Sequence, residues 1–191
     1  MIFLGIGSNL SSSYGDRFTN INLAIELLLK EKITLIKKSN FYESESYPNK
    51  NNPKFINVVV SIESFLPPEK IAEIILNIEK KIERKRDKKN DPRTCDIDII
   101  DYCGKVINFN FNDLVFSTPH DQLSNRNFVL LPLKEISPKW CHPVSDELIN
   151  DLIEKLPAKE KNSILKVDKT WYDTLMLNQE DLIKKVKNYN P

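Results

Sequence analysis

Asp91-Pro92-Arg93-Thr94-Cys95-Asp96-Ile97-Asp98-Ile99-Ile100-Asp101-Tyr102 is the stretch whose reading decides the fold. From Thr94 onward polar and apolar residues alternate with period two, the pattern of a half-buried β-strand. Side chains at i and i+2 leave a strand on the same face, so Asp96 and Asp98 point one way, about 7 Å apart along the backbone. Ile97 and Ile99 point the other way, into a core. Two carboxylates on one face repel, and without a positive partner one of them has its pKa raised. Hard cations such as Mg²⁺ take oxygen ligands and are shared between one or two carboxylates and substrate phosphates. Arg84, Lys85, Arg86, Lys88, Lys89 and Arg93 lie just upstream. Two acids on a rigid strand beside a cationic segment suit transfer of a phosphate-containing group: metal and guanidinium groups together neutralise and orient the oxygens. The plain alternative is a strand with a solvated acidic face beside a solvated basic loop, and a bare D-x-D leaves it open.

Working towards the N-terminus, Pro67-Pro68-Glu69 opens a helix, with proline suited to its first turn. Ile71, Ile74, Ile75, Ile78 and Ile82 give it an apolar stripe. Glu79 and Glu83 on that helix read as solvated or lysine-paired, and residues 85 to 92 as a flexible basic loop. Residues 55 to 63 alternate as a strand, with Ile56, Val58, Val60 and Ile62 on one face and Phe55, Asn57, Val59 and Ser61 on the other. An amide beside an aromatic on one strand face suits a heterocycle, although an asparagine bonded to a nearby loop is the simpler account. Residues 44 to 54 are a polar, proline-broken loop, and residues 33 to 42 a strand. Residues 15 to 30 form a helix with Phe18, Ile21, Ile25 and Leu28 at helical spacing, and residues 2 to 7 a buried strand turning at Gly7-Ser8-Asn9. The pair Gly5 and Gly7 lacks the remainder of a nucleotide-binding glycine loop, so tight packing explains it better.

Working towards the C-terminus, Gly104 turns the aspartate strand into a short partner at 105 to 107, and residues 108 to 126 read as irregular. His120, in a loop, has the chemistry to donate to a phosphate. Arg126 and Phe128 begin a helix that carries Val129, Leu130, Leu133 and Ile136, where an anion and a ring have natural partners. Further helices are expected over 145 to 155 and 178 to 187, with a strand over 164 to 167. The order β-α-β-β-α-β predicts an α+β fold: a ferredoxin-like antiparallel sheet with helices on one face, plus extra C-terminal helices. The opposite face is then free for ligand, with Phe55, Asn57, Asp96 and Asp98 on it.

Composition narrows the classes. The 191 residues are 40% hydrophobic with net charge +1, enough for one domain with an appendage, and they make no global case for nucleic acid or a membrane surface. Three cysteines without a C-x-x-C pair fit reduced thiols in a cytosol. No basic-then-apolar leader and no apolar run of about 18 residues is present, so a cytoplasmic location and no membrane contact are expected.

Several motifs then coincide in order: Gly5-Ile6-Gly7-Ser8-Asn9-Leu10, Phe55-Ile56-Asn57, Pro92-Arg93-Thr94-Cys95-Asp96-Ile97-Asp98, Pro119-His120, and Asn125-Arg126-Asn127-Phe128-Val129-Leu130-Leu131-Pro132-Leu133. Together they resemble the 6-hydroxymethyl-7,8-dihydropterin pyrophosphokinase family over residues 1 to 157. The stretch 158–191 is set apart as an extension of unknown role. The resemblance implies transfer of diphosphate from ATP to the hydroxymethyl group of a reduced pterin, releasing AMP, in folate biosynthesis. It implies that Asp96 and Asp98 bind two Mg²⁺ ions, that Phe55 and Phe128 sandwich the pterin, and that Asn57 and Ser44 contact it. Arg84, Arg86, Arg93, His120 and Arg126 then contact phosphates, and residues 85 to 92 form a lid. A monomer is expected, with ATP and the pterin as partners. Where the family often has tryptophan and glycine before the Pro-Arg pair, this chain has Asn90-Asp91, and Asp121 follows the histidine where some members have tyrosine. A nucleic-acid-binding module using Phe55 as a stacking platform is the alternative from another class; an inactive relative kept as a scaffold is a third.

Overall fold

A computed structural model describes residues 1–86 and 90–167. The basic helix expected over 178–187, and Lys88 and Lys89 of the basic loop, lie outside the described residues.

Strand β1 (Ile2–Ser8) runs through the middle of a six-stranded sheet ordered β5-β1-β4-β3-β8, with β2 also paired to β4. All the recorded pairings are antiparallel. Helix α1 (Arg17–Leu29) follows β1, capped at Asp16, whose carboxylate accepts the Thr19 N–H. The strand expected over 33 to 42 is two strands, β2 (Thr34–Lys38) and β3 (Phe41–Ser44). The break falls at Ser39, which answers β4 through side chain as well as backbone: its N–H donates to the Val59 carbonyl, and its Oγ accepts the Val59 N–H. Strand β4 (Phe55–Glu63), helix α2 (Pro68–Lys81) and strand β5 (Asp96–Tyr102) match their periodicities.

The region 108 to 126 is less irregular than its asparagines imply. Strands β6 (Ile107–Phe111) and β7 (Leu114–Thr118) form a hairpin in which Phe109 and Phe116 are direct partners, their rings stacked with centroids 5.2 Å apart. Asn112 and Asp113 both have positive φ, 48° and 59°, which a two-residue hairpin turn of primed type requires and which these side chains tolerate.

Alternation along the strands feeds two cores. Ile2, Leu4, Ile6, Ile56, Val58, Val60, Ile62, Ile97 and Ile99 pack against α1 and α2. Phe3, Val59 and Ile100 face the other way, against helices α3 (Asn127–Ile136) and α4 (Ile149–Lys155). The second face is therefore not open along its whole length, as a free ligand face requires. Two apolar helices cover one end of it, and the strip bearing Asp96, Asp98, Asn57 and Phe55 is left uncovered by that core. Helix α4 is shorter than the expected 145 to 155, because His142 turns the preceding segment: its Nδ1 accepts the N–H groups of Val144 and Ser145. Beyond Leu156, a short helix α5 (Ala158–Lys161) leads into β8 (Leu165–Val167), which pairs with β3. Asn127 donates to the Glu160 carbonyl and to Ser163 Oγ, fastening this return to the start of α3. Lower in α3, Glu135 accepts from the Asn40 N–H and from the Tyr42 hydroxyl at 2.7 Å, which pins the helix to the β2–β3 junction.

Candidate active site

Register places the site. Asp96 of β5 lies opposite Gly7 of β1, and Gly7 lies opposite Asn57 of β4, so one row of the sheet reads Asp96–Gly7–Asn57. A Cβ on Gly7 would stand 3.2 Å from Asn57 Oδ1 and 3.5 Å from Phe55 Cδ1. Gly7 is therefore packed closely against the amide and the ring, with no room for a side chain. Tight backbone packing at Gly7, expected from sequence, takes this form.

Asn57 is buried and donates through Nδ2 to Ser44 Oγ at 3.0 Å. Ser44 is the cross-strand partner of Phe55. These three residues form one wall, with the Asn57 amide held by the β3 strand.

The acids are ringed by arginines. Asp96 pairs with Arg84 and, at 2.7 Å, with Arg93. Asp98 Oδ2 lies 3.3 Å from Arg126 Nη1 and 3.9 Å from His120 Nε2, the latter beyond hydrogen-bond reach. Two of these arginines also sit over rings: Arg93 Cζ is 5.0 Å from the Phe55 centroid, and Arg126 Cζ is 5.6 Å from that of Phe128. His120 Nδ1 accepts the Gln122 N–H, and its Nε2 lies 3.5 Å from Arg126 Nη1 and 3.9 Å from Asp98 Oδ2. Of the residues selected from sequence, the structure thus joins Arg84, Arg86, Arg93 and Asp96 in one group, and His120, Arg126, Phe128 and Asp98 in a second. Phe55, Asn57 and Ser44 form the third.

Glu79 was missed. Rather than solvated or lysine-paired, it is 1% exposed, and its carboxylate pairs with Arg84 and Arg86 and accepts the Ile97 N–H at 2.8 Å. The signal was present: Glu79 stands four residues after Ile75, on the apolar stripe of α2, where a charge needs a partner. Glu83 is likewise no free surface acid, since its carboxylate is bonded by Ser13.

The electrostatics follow from this packing. Burial pushes the Asp96 carboxyl up, but the Arg93 and Arg84 guanidiniums outweigh it and hold the group below the ordinary aspartate range. Burial, and then the charge of Asp96, raise Asp98 against the pull of His120 and Arg126. Its side chain keeps 37% exposure, so water screens part of that rise. Burial drives Glu79 up to about 7, opposed by Arg84 and Arg86. Nε of Arg84 and Nε of Arg93 are buried donors without an acceptor among the described residues. Four guanidiniums and two unsatisfied donors around three carboxylates form a site for a polyanion that brings its own oxygens.

The same residues fit a divalent cation. The pair of carboxylates one residue apart, with Asp98 raised by its neighbour's charge, is relieved by positive charge placed between them. Among the described residues no group of three or more His, Cys, Asp or Glu gathers around a metal position. Two protein ligands with the rest from phosphate and water is the usual habit of Mg²⁺.

The family model for 7,8-dihydro-6-hydroxymethylpterin-pyrophosphokinase matches residues 3–138. A 2-amino-4-hydroxy-6-hydroxymethyldihydropteridine pyrophosphokinase of Aquifex aeolicus is 34% identical over 87% of this chain and 98% of its own length. The folic acid synthesis protein fol1 of Schizosaccharomyces pombe is 33% identical over 82% of this chain, which spans only 20% of that longer protein. The crystal structure of Plasmodium falciparum HPPK-DHPS superposes with a TM-score of 0.63 at 18% identity, over 81% of this chain and 43% of that one, a likeness of fold. Matched across most of its length by the family model and by relatives above 30% identity, the chain belongs to the 7,8-dihydro-6-hydroxymethylpterin-pyrophosphokinase family.

Proposed function

We propose that this site transfers the terminal diphosphate of ATP to the hydroxymethyl oxygen of 6-hydroxymethyl-7,8-dihydropterin and releases AMP. Family membership makes the chain a pyrophosphokinase of folate biosynthesis. The observation that carries the residue assignment is the aspartate pair of β5 inside its ring of arginines, beside the Asn57–Phe55 wall. The central strands β5-β1-β4-β3, connected as β-α-β-β-α-β when β2 and β3 count as one broken strand, support a ferredoxin-like reading of the core.

In this mechanism the pterin ring lies between Phe55 and Phe128, and the Asn57 amide meets its polar edge. Gly7, which bears no side chain, separates the Asn57 amide from Asp96 in their row of the sheet, and the substrate's hydroxymethyl arm crosses it towards the aspartates. Arg84 and Arg93 turn their unsatisfied Nε donors towards phosphate oxygens, and Arg86 adds charge from the rim. Arg126 and His120 hold oxygens on the Asp98 side, where negative charge builds on the bridging oxygen as it leaves with AMP. Asp96 and Asp98 would hold Mg²⁺, two ions on this reading, which would supply Lewis-acid polarisation to the phosphate oxygens and the attacking hydroxyl. Positioning and charge stabilisation carry the rate, as in phosphoryl transfer generally. The lid role of residues 85 to 92 falls partly outside the described residues.

No observation favours the nucleic-acid alternative. No described helix is long and apolar enough to cross a membrane. A monomer in the cytoplasm, with its three thiols free, belongs to the same proposal. The test is AMP release from ATP with hydroxymethyldihydropterin and Mg²⁺. Wild-type protein releases AMP and Asp98→Ala does not; a wild type that releases none ends the proposal.

A further inference from the structure

Helix α2 ends in a turn of the Schellman type. Arg84 N–H donates to the Glu79 carbonyl and Glu83 N–H to the Lys80 carbonyl, with Glu83 itself at φ +64°. Glycine is the residue that occupies this left-handed position without strain. A glutamate there is held against its backbone preference, and such an outlier calls for something that over-determines it. Here it is the side chain. Glu83 Oε2 accepts the Ser13 N–H at 2.9 Å, and Oε1 accepts the Ser13 hydroxyl. These two bonds hold its carboxyl below the ordinary glutamate range.

Ser13 is a firm anchor. Ser12 and Gly15 exchange both backbone hydrogen bonds, and Ser12 Oγ is bonded to Asn20, a buried residue of α1. The same loop also grips the far end of the arginine segment: the N–H groups of Asn9 and Leu10 both donate to the Arg93 carbonyl. The chain from Arg84 to Pro92 thus leaves and rejoins the fold against one platform, residues 9 to 15.

We infer that Glu83 is a positioning residue for Arg84 and Arg86, its carboxylate fixing the root of the arginine segment on Ser13 so that both guanidiniums meet ATP. The inference rests on the pyrophosphokinase reading above. Glu83 touches no substrate. It sets where the chain departs α2, one residue before Arg84 turns onto Glu79 and Asp96.

Glycine separates the two roles of this position, because Glu83→Gly keeps the left-handed turn and removes only the latch. The measurements are KM and kcat for ATP by AMP release, binding of a non-hydrolysable ATP analogue by calorimetry, and the melting temperature. Glu83→Gly melts no lower than wild type, yet its KM and dissociation constant rise about fivefold, the size of one lost charge-assisted contact at a partly exposed site. Ser13→Ala shifts both in the same direction by less. The double variant is no worse than Glu83→Gly alone, and Glu83→Gln, which can still bond Ser13, stays within about twofold of wild type. An unchanged KM and dissociation constant in Glu83→Gly, while wild type remains active, overturns the inference and leaves the reaction assignment standing. A rise that Ser13→Ala fails to share overturns it equally. Absence of AMP release from wild type refutes the parent reading instead.

Discussion

Replacing Glu79 by glutamine removes one negative charge from beneath the arginine cluster and keeps its shape, and the structure determines the sign of the result. The folded carboxyl is raised from 4.5 to about 7 with the attraction of Arg84 and Arg86 already included. At about 1.4 kcal/mol per pH unit, the charged form above pH 7 is disfavoured by about 3 kcal/mol relative to the unfolded chain. Against this stands the broken pairing. Arg84, 12% exposed, keeps Asp96, and Arg86, 38% exposed, turns to water, so neither guanidinium is left buried alone. Glutamine Oε1 still accepts the Ile97 N–H, while its amide nitrogen meets a guanidinium donor, at a cost of about 1 to 2 kcal/mol. The balance is a gain of about 1 to 2 kcal/mol at pH 8, a rise in melting temperature of about 2 to 8 °C for a chain of this size. A carboxyl raised in the folded state binds its proton more tightly there. Wild type therefore loses stability as pH climbs from 4.5 to about 7; near pH 5, where that loss is still below about 1 kcal/mol, the variant is no more stable than wild type, and its advantage is full by pH 8. Activity goes the other way: with their common anchor gone, Arg84 and Arg86 spread, and kcat/KM for ATP falls about 10- to 100-fold. Thermal melts of the metal- and nucleotide-free proteins at pH 5 and 8, with AMP release at pH 8, measure both. A variant that is less stable than wild type by 2 kcal/mol or more at pH 8 would refute the reasoning, since the paired charge would then be a net source of stability.

Gly7→Ala sets a methyl group against Asn57 Oδ1 and the Phe55 ring, so KM for the pterin rises about tenfold while KM for ATP is unchanged; steady-state kinetics with each substrate varied in turn would show an equal rise in both if the Asn57–Phe55 wall does not border the pterin. Glu135 has its carboxyl lowered: burial raises it, but the hydrogen bonds from Tyr42 and Asn40 prevail. The stability it contributes is present above about pH 4.5 and is lost as pH falls through the lowered folded value. Glu135→Gln accordingly costs about 1 to 2 kcal/mol at pH 7 and much less at pH 3, read from urea midpoints; an equal cost at both would assign the effect to shape alone. Chelating divalent cations stops AMP release, and adding Mg²⁺ back restores it; release that continues in the chelator would remove the cation from the aspartate pair.

Much of this was legible in the residues, for reasons that differ by element. Period-two runs at Ile2–Ser8, Phe55–Glu63 and Asp96–Tyr102 and the isoleucine stripe of α2 are written in chemistry that local geometry reads directly. The hairpin of β6 and β7 was hidden because its outward positions are Asn108 and Asn110, residues that also mark loops, although Ile107, Phe109 and Phe111 alternate correctly. The covering of the second face by α3 and α4 was signalled by Val59 and Ile100, apolar residues on what was taken as the ligand side. Which arginine meets which aspartate was not legible. Arg93 and Asp96 are near in sequence, but Arg126 and Asp98 come together only through the packing of α3, and no local periodicity encodes that. Glu79 shows the same limit: its position on the stripe announces burial, and its partners belong to the tertiary fold.

The three-residue strand at Leu165–Val167 has a practical bearing on how the chain is handled. It lies along the outer margin of Phe41–Glu43, where the sheet would otherwise present bare amide and carbonyl groups next to a fully buried phenylalanine ring. A fragment trimmed after the last catalytic motif would lose this selvage, and an unprotected border of that kind recruits strands from other molecules. Expression designs that stop before Val167 invite fibre-like association even though every residue assigned to the proposed site is retained.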